Sequence, residues 1–338
     1  MADIPIVDFS AYSSPDSPHG KIAAAKAIDN AFRSQGFVYL KNYGLSKEQV
    51  EQCFAWSKRF FALSLETKNL APHPPGGAHH RGYSAPGLEK VSQNQFAANE
   101  LAKAREIPDY KESFESGNIH DEMQPNIWPP ESALPGFRAF MESFFTDCEG
   151  LVHRVLDALS VALHVEPTLS TTHRRSLFQL RLLHYPSIAV EELTQGKRSR
   201  INAHSDFGTL TLLFQDSVGG LEVEDPHRPG RFKPVQRVED AVLVNVGDLM
   251  ARWSNDCWKS TVHRVVSPPA QDGDVVPDRY SIPFFATADP ETVIEALPGC
   301  WSQSEPKKYE SVTAWGYVQM RMAALYEEKE KEKTLYGQ

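Results

Sequence analysis

From residue 177 to residue 287 the hydrophobic pattern breaks into short β-rich segments, with no helix-length segment between them. The segments are Leu177–Tyr185, Ile201–His204, Leu210–Phe214, Leu221–Val223, Arg231–Val235, Val242–Asn245, Thr261–Val266 and Tyr280–Thr287. Turn signals separate many of them: Gly219-Gly220, Pro229-Gly230, Gly247-Asp248 and Asp272-Gly273. Parallel neighbours need long, usually helical crossovers, so a parallel α/β sheet is disfavoured. Short strands punctuated in this way predict a double-sheet jelly roll.

Helical periodicity flanks this block. After a strand-like opening, Ile4-Pro5-Ile6-Val7-Asp8-Phe9, the stretch Lys21 to Ser34 carries Ile22, Ala25, Ile28 and Phe32 near helical spacing and stops at Gly36. A strand is expected over Gly36–Leu40. Ser46-Lys47-Glu48-Gln49 has the form of a capping box opening a helix through Val50, Phe54 and Phe61. Pro, Gly and His mark Ala71–Pro86 as loop. A long apolar stripe over Phe137–Leu163 (Phe140, Phe144, Leu151, Val155, Leu159) predicts a core-packing helix. The stretch from Val312 reads as helical, with the charged run Glu327–Lys333 as its solvated end. The expected fold is mainly β with flanking helices. It has an N-terminal α/β region packing on the core (1–120), a long helical segment (121–174), a double-stranded β-helix (jelly-roll) core (175–290) and a C-terminal helical region (291–338).

Bulk properties narrow the function. The 338 residues are 41% hydrophobic and 23% charged, an ordinary globular composition. A net charge of −9 argues against nucleic acid as the main partner. Cys53, Cys148, Cys257 and Cys300 stand far apart, as expected of reduced thiols. Neither a signal peptide nor an apolar run of membrane-spanning length is apparent, so a cytoplasmic protein is expected.

Chemistry-bearing residues gather in the strand-rich block. Three H-x-[DE] matches occur, beginning at His120, His164 and His204, where chance gives about one or two. His120 lies in a polar loop-like stretch and His164 ends a helical pattern just before Pro167. Only His204-Ser205-Asp206 is followed by short strands that lead to a second histidine, His263, on a strand face shared with Thr261 and Val265. Two imidazoles and one carboxylate are the facial ligand set of non-haem Fe(II) sites with open positions. Arg279 and Ser281 share a later strand face ahead of the apolar run Ile282-Pro283-Phe284-Phe285. A buried guanidinium needs an anion, and its fork geometry suits a carboxylate such as that of an oxo-acid.

Taken in order, these motifs resemble the Fe(II)/2-oxoglutarate-dependent dioxygenases of the isopenicillin N synthase-like branch. Further segments carry the resemblance: Gly36-Phe37, Arg81-Gly82-Tyr83, Leu183-His184-Tyr185-Pro186, Gly219-Gly220-Leu221 and Asn245-Val246-Gly247-Asp248. Arg81–Lys90 and Ala251–Asp256 are similar to fungal members, including thymine 7-hydroxylases. The resemblance implies that His204, Asp206 and His263 bind Fe(II), and that Arg279 and Ser281, assisted by Tyr185, hold 2-oxoglutarate. It implies oxidative decarboxylation of 2-oxoglutarate by dioxygen to succinate, coupled to hydroxylation, desaturation or ring closure of a small molecule. Arg181, Phe207 and Phe285 are the substrate-pocket candidates. Thymine 7-hydroxylases carry Tyr where Phe207 follows the aspartate, so the aromatic face is kept and a hydroxyl lost. Leu183 stands where many plant members have Asn. An oxidase that uses no oxo-acid, as in isopenicillin N synthase, and a non-catalytic jelly-roll binding protein are the alternatives. Oligomeric state is left open.

Overall fold

The structure is a computed structural model and describes residues 1–13, 17–75, 79–87, 109–195, 197–268 and 274–321. In chain order its strands are β1 (Ile6–Asp8), β2 (Phe37–Lys41), β3 (Gly82–Ser84), β4 (Glu112–Gly117), β5 (Gln179–Tyr185), β6 (Ile188–Ala189) and β7 (Ile201–His204). There follow β8 (Leu210–Gln215), β9 (Leu221–Asp225), β10 (Arg228–Pro234), β11 (Ala241–Val246), β12 (His263–Val265), β13 (Val275–Val276) and β14 (Arg279–Ala286). Within the stretch expected to be helical lies the short antiparallel pair β15 (Val293–Ile294) and β16 (Val312–Thr313). Among the described residues, the major sheet has the order β1-β2-β11-β8-β14-β5-β4-β3 and the minor sheet the order β10-β9-β12-β7. Apart from the parallel pair β1–β2, the neighbours in these two sheets are antiparallel. This is the jelly-roll core, with β1 to β4 extending the major sheet at both ends.

Period-two alternation divides the major sheet into two faces. Val38, Leu40, Leu180, Leu182, Leu212, Phe214, Val244, Ile282 and Phe284 enter the larger apolar core. Against them pack α1 (Pro18–Ser34), α2 (Lys47–Phe61) and α3 (Phe137–Leu163). Phe37, Tyr39, Leu183, Tyr185 and Leu243 point the other way and close on Ile201, Leu221, Val223 and Val265 of the minor sheet. Polar residues on this second face therefore look into the space between the sheets.

The helices start and stop for local reasons. At α2, Ser46 Oγ accepts from Gln49 N (3.2 Å) while Gln49 Oε1 accepts from Ser46 N (2.8 Å), closing the capping box. Beyond α1, Gly36 adopts φ +72°, and a Cβ there would stand 2.1 Å from Lys259 O. Within the expected loop Ala71–Pro86 the structure has β3, pinned by Tyr83 N donating to Ala71 O (2.7 Å) and His73 N to Tyr83 O (2.9 Å). Neither β3 nor β4 was expected. β4, Glu-Ser-Phe-Glu-Ser-Gly, carries charged or polar side chains at most positions, yet all six residues are buried. Residues 314–321 are helical, while the run Glu327–Lys333 lies outside the described residues. No helix among the described residues is long and apolar enough to cross a membrane.

Candidate metal centre and oxo-acid site

β7 ends at His204, and the antiparallel register sets His263 of β12 directly opposite. The two ring centroids are 4.4 Å apart. Two residues past His204 the chain turns, and Asp206 brings Oδ1 to 3.8 Å from His263 Nε2. One donor atom from each of the three residues lies within 4.8 Å of the others.

The surroundings leave one donor per residue for a metal. His204 Nδ1 donates to Asn202 O (2.9 Å) and His263 Nδ1 to Thr261 O (3.2 Å), so both Nε2 atoms are free as ligands. Asp206 Oδ2 accepts from Thr211 Oγ1 (2.7 Å) and Asn245 Nδ2 (2.7 Å), which leaves Oδ1. Burial, with His263 as neighbour, pushes His204 down to about 4, so its imidazole is neutral near neutral pH. Burial by itself would raise Asp206, but His263, His204 and the bonds from Asn245 and Thr211 more than offset this and hold its carboxyl below the usual range. A neutral imidazole and an ionised carboxylate are the protonation states that a metal takes up. The donor set fits Fe(II), a borderline ion that accepts both nitrogen and oxygen.

The turn is held from outside by α4 (Asp248–Trp253). At its start Gly247 N donates to Thr209 O (3.0 Å), Asp248 N to Asp206 O (2.7 Å) and Leu249 N to Gly208 O (3.1 Å). A Cβ on Gly247 would meet Gly208 O at 2.2 Å. The Asp248 carboxylate accepts from Ser205 Oγ (3.0 Å), Ser260 Oγ (2.6 Å) and Arg321 Nη1 (2.7 Å).

Arg279 and Ser281 lie side by side on β14, joined by a 3.2 Å bond from Nη1 to Oγ. Arg279 is 2% exposed, and its other partners are Gly219 O (2.8 Å) and Gln215 Oε1 (3.4 Å), both neutral. Among the described residues no carboxylate makes an ion pair with it. Its guanidinium lies 4.8 Å from the Tyr185 ring centre. Arg200, also 2% exposed, stands 5.6 Å from the same ring and donates to Tyr185 O and Pro277 O. Burial lowers Arg200 to about 10, so it keeps its charge near neutral pH. Two buried cations around one tyrosine could hold an anion, and the neutral contacts of Arg279 are compatible with one end of a dicarboxylic oxo-acid.

Arg181 lies on β5 opposite Glu115 of β4, forms an ion pair with it, and sits over the Phe285 ring at 5.7 Å. Phe285 is in register with Thr211, the partner of Asp206. Phe207 follows Asp206, and the Arg321 guanidinium stacks on its ring at 4.6 Å. Arg181 and Phe285 thus meet each other, while Phe207 meets a residue from the C-terminal helical stretch. Of the H-x-[DE] matches set aside, His120 is exposed and His164 is the left-handed cap of α3 (φ 55°). Sequence reading did not single out Arg200, Arg321, Thr211 or the side-chain role of Asn245. For Asn245, the clue was a polar residue closing the apolar strand Val242–Val244. For Arg321 no comparable signal exists.

The chain is similar to known proteins along most of its length. Residues 4–131 match the family described as non-haem dioxygenase in morphine synthesis, N-terminal. Residues 177–288 match the 2OG-Fe(II) oxygenase superfamily. A proline hydroxylase of Petromyces alliaceus is 40% identical over 314 residues, covering 92% of this chain and 96% of its own. A 2-oxoglutarate-dependent dioxygenase of Dothideomycetidae sp. (strain 11243) is 38% identical over 334 residues, covering 96% and 97%. The crystal structure of the full-length thymine 7-hydroxylase of Neurospora crassa with α-ketoglutarate superposes with a TM-score of 0.82 at 40% identity, covering 95% of this chain and 96% of that one. The same enzyme with α-ketoglutarate and thymine gives 0.81 at 41% identity over the same shares. The chain belongs to the 2-oxoglutarate–Fe(II) oxygenase superfamily and is a 2-oxoglutarate-dependent dioxygenase.

Proposed function

We propose that the enzyme hydroxylates a carbon of a small, ring-bearing polar molecule, with His204, Asp206 and His263 holding Fe(II) and Arg279, Ser281 and Tyr185 holding 2-oxoglutarate. The observation that supports the residue roles is the two-His-one-carboxylate cluster, with Asp206 buried and both histidines partly so, whose remaining atoms are already tied to the protein. Iron, when bound, would supply the activation of dioxygen, with the oxo-acid as the two-electron reductant that leaves as succinate and carbon dioxide. The protein orients the partners: Arg279 and Ser281 grip one carboxylate end of the oxo-acid, and the fixed turn at Asp206 keeps the ligand atoms in place.

For the substrate we assign Phe207 and Phe285 as aromatic walls and Arg181 as the polar contact. Arg181 carries a guanidinium on the Phe285 ring, a combination that suits a flat ring bearing a hydrogen-bond acceptor. The named substrates of the relatives, proline and thymine, are small rings with such acceptors. Phe207 cannot make a hydroxyl contact, so thymine itself is disfavoured.

The test is succinate release from 2-oxoglutarate with purified enzyme and Fe(II) across a panel of cyclic amino acids, nucleobases and ring-containing amides. A member of the panel should stimulate release and emerge with one added oxygen. No stimulation by any of its members, with stimulation by open-chain apolar compounds run as a parallel panel, would overturn the substrate reading. His263→Ala should abolish succinate formation at any oxo-acid concentration; near wild-type release would overturn the ligand assignment.

A further inference from the structure

We propose that His73, His80 and Glu115 form a second divalent-metal site, suited to a borderline ion such as Zn²⁺ and separate from the His204–Asp206–His263 centre. The two clusters share no residue, and this inference does not depend on the substrate reading. One donor atom from each of the three side chains lies within 4.8 Å of the others. The set repeats the composition of the His204–Asp206–His263 cluster, two imidazoles and one carboxylate, at a different place in the fold: Glu115 on β4 and two histidines ahead of β3.

Glu115 is the anchor. It sits on β4, 0% exposed, between Gly82 of β3 and Arg181 of β5 in register. The Arg181 ion pair compensates Oε1, but Oε2 is buried without a hydrogen-bond donor, which is costly for a carboxylate oxygen. Arg181 approaches Oε1, leaving Oε2 directed at His80 Nδ1, 3.5 Å away. Tetrahedral zinc ligands at the usual bond lengths stand about 3.3–3.5 Å apart, so this pair already has the right separation.

His73 supplies the third ligand. Its Nδ1 donates to Pro74 O (2.6 Å), which fixes the tautomer and makes Nε2 the coordinating nitrogen. Its ring centre is 6.3 Å from that of His80, and the donor atoms of the two rings already lie within 4.8 Å of each other. Both histidines sit on anchored backbone. His73 N donates to Tyr83 O (2.9 Å), His80 N to Gln124 Oε1 (3.2 Å), and Arg81 Nη1 to His80 O (2.7 Å). An ion pair between Glu115 and Arg181 alone needs neither imidazole. Three protein ligands leave a fourth position for water, and the partial exposure of His80 gives an ion a way in.

The experiment is zinc stoichiometry on the metal-free full-length protein, measured by calorimetry and by metal content after gel filtration. Wild type should retain two zinc ions per chain. His80→Ala and, independently, His73→Ala should each retain one, as should His263→Ala. His80→Gln is the milder second variant if the alanine form is unstable. The His80 variants should keep the charge-transfer absorption given by Fe(II) with 2-oxoglutarate, because the first centre is untouched. A single retained zinc in wild type, or two in both His80→Ala and His73→Ala, would overturn the proposal.

Discussion

In the proposed iron centre His204 and Asp206 each have one atom committed to the protein and one left over for a metal. Two neutral donors, Thr211 and Asn245, bind the same Asp206 oxygen. Asn245→Ala should therefore leave the fold intact and weaken Fe(II) binding roughly 10- to 100-fold, the usual cost of losing an orienting partner behind a metal ligand. Unchanged affinity in an equilibrium titration would refute that role. Arg279 is different in kind, since it gathers neutral acceptors around an uncompensated charge. Losing charge-assisted bonds worth about 1.5–3 kcal/mol predicts a rise of roughly 10- to 150-fold in the 2-oxoglutarate requirement of Arg279→Ala. Iron affinity should be retained; steady-state kinetics and an iron titration separate the two effects. The Phe207 side chain was readable as an aromatic face, but its cover, Arg321, lies more than a hundred residues away in sequence.

At the level of elements, the H-x-D turn and α4 act as one unit. Backbone donors at the start of α4 satisfy the carbonyls of the turn, and Gly247 permits the close approach. Gly247→Ala should push the helix off the turn at a cost of about 1–3 kcal/mol and weaken iron binding at the same time. Thermal melting with and without Fe(II) checks this; a fully stable variant with normal iron affinity would contradict it. Strands such as β8 and β14 were legible because apolar alternation marked them. β4 was not, since Glu112, Ser113, Glu115 and Ser116 read as surface. The burial of Glu112 is supported by partners from elsewhere: Lys68 Nζ (2.7 Å), Tyr83 Oη (2.6 Å) and His184 Nδ1 (2.7 Å) converge on it. No local pattern contains that information.

Across the whole molecule, buried neutral imidazoles tie stability to pH. Burial lowers His204 to about 4 and His173 to about 3, against 6.5 for an unburied histidine. Between pH 6.5 and those values the unfolded chain binds protons that the folded chain refuses, so acid favours unfolding. Stability is fully present above pH 6.5 and is lost as pH falls toward 4, by up to about 1.4 kcal/mol per pH unit for each imidazole. Urea midpoints of the metal-free protein should fall between pH 7 and pH 5, and a flat or rising profile would contradict the burial argument. Fe(II) should deepen the dependence, because protons compete with the metal for the same nitrogens.

The strand-rich block, the flanking helices and the order His204-Ser205-Asp206, His263, Arg279-Tyr280-Ser281 could all be read along the chain. They rest on periodicity, capping chemistry and donor type, which are local properties of neighbouring residues. Which nitrogen of each histidine is free, which oxygen of Asp206 is taken, and that Arg200 joins Arg279 at Tyr185 could not. Nor could the meeting of His73, His80 and Glu115. These depend on strand register and on hydrogen bonds between residues far apart in sequence, and such pairings exist only once the two sheets have closed on each other.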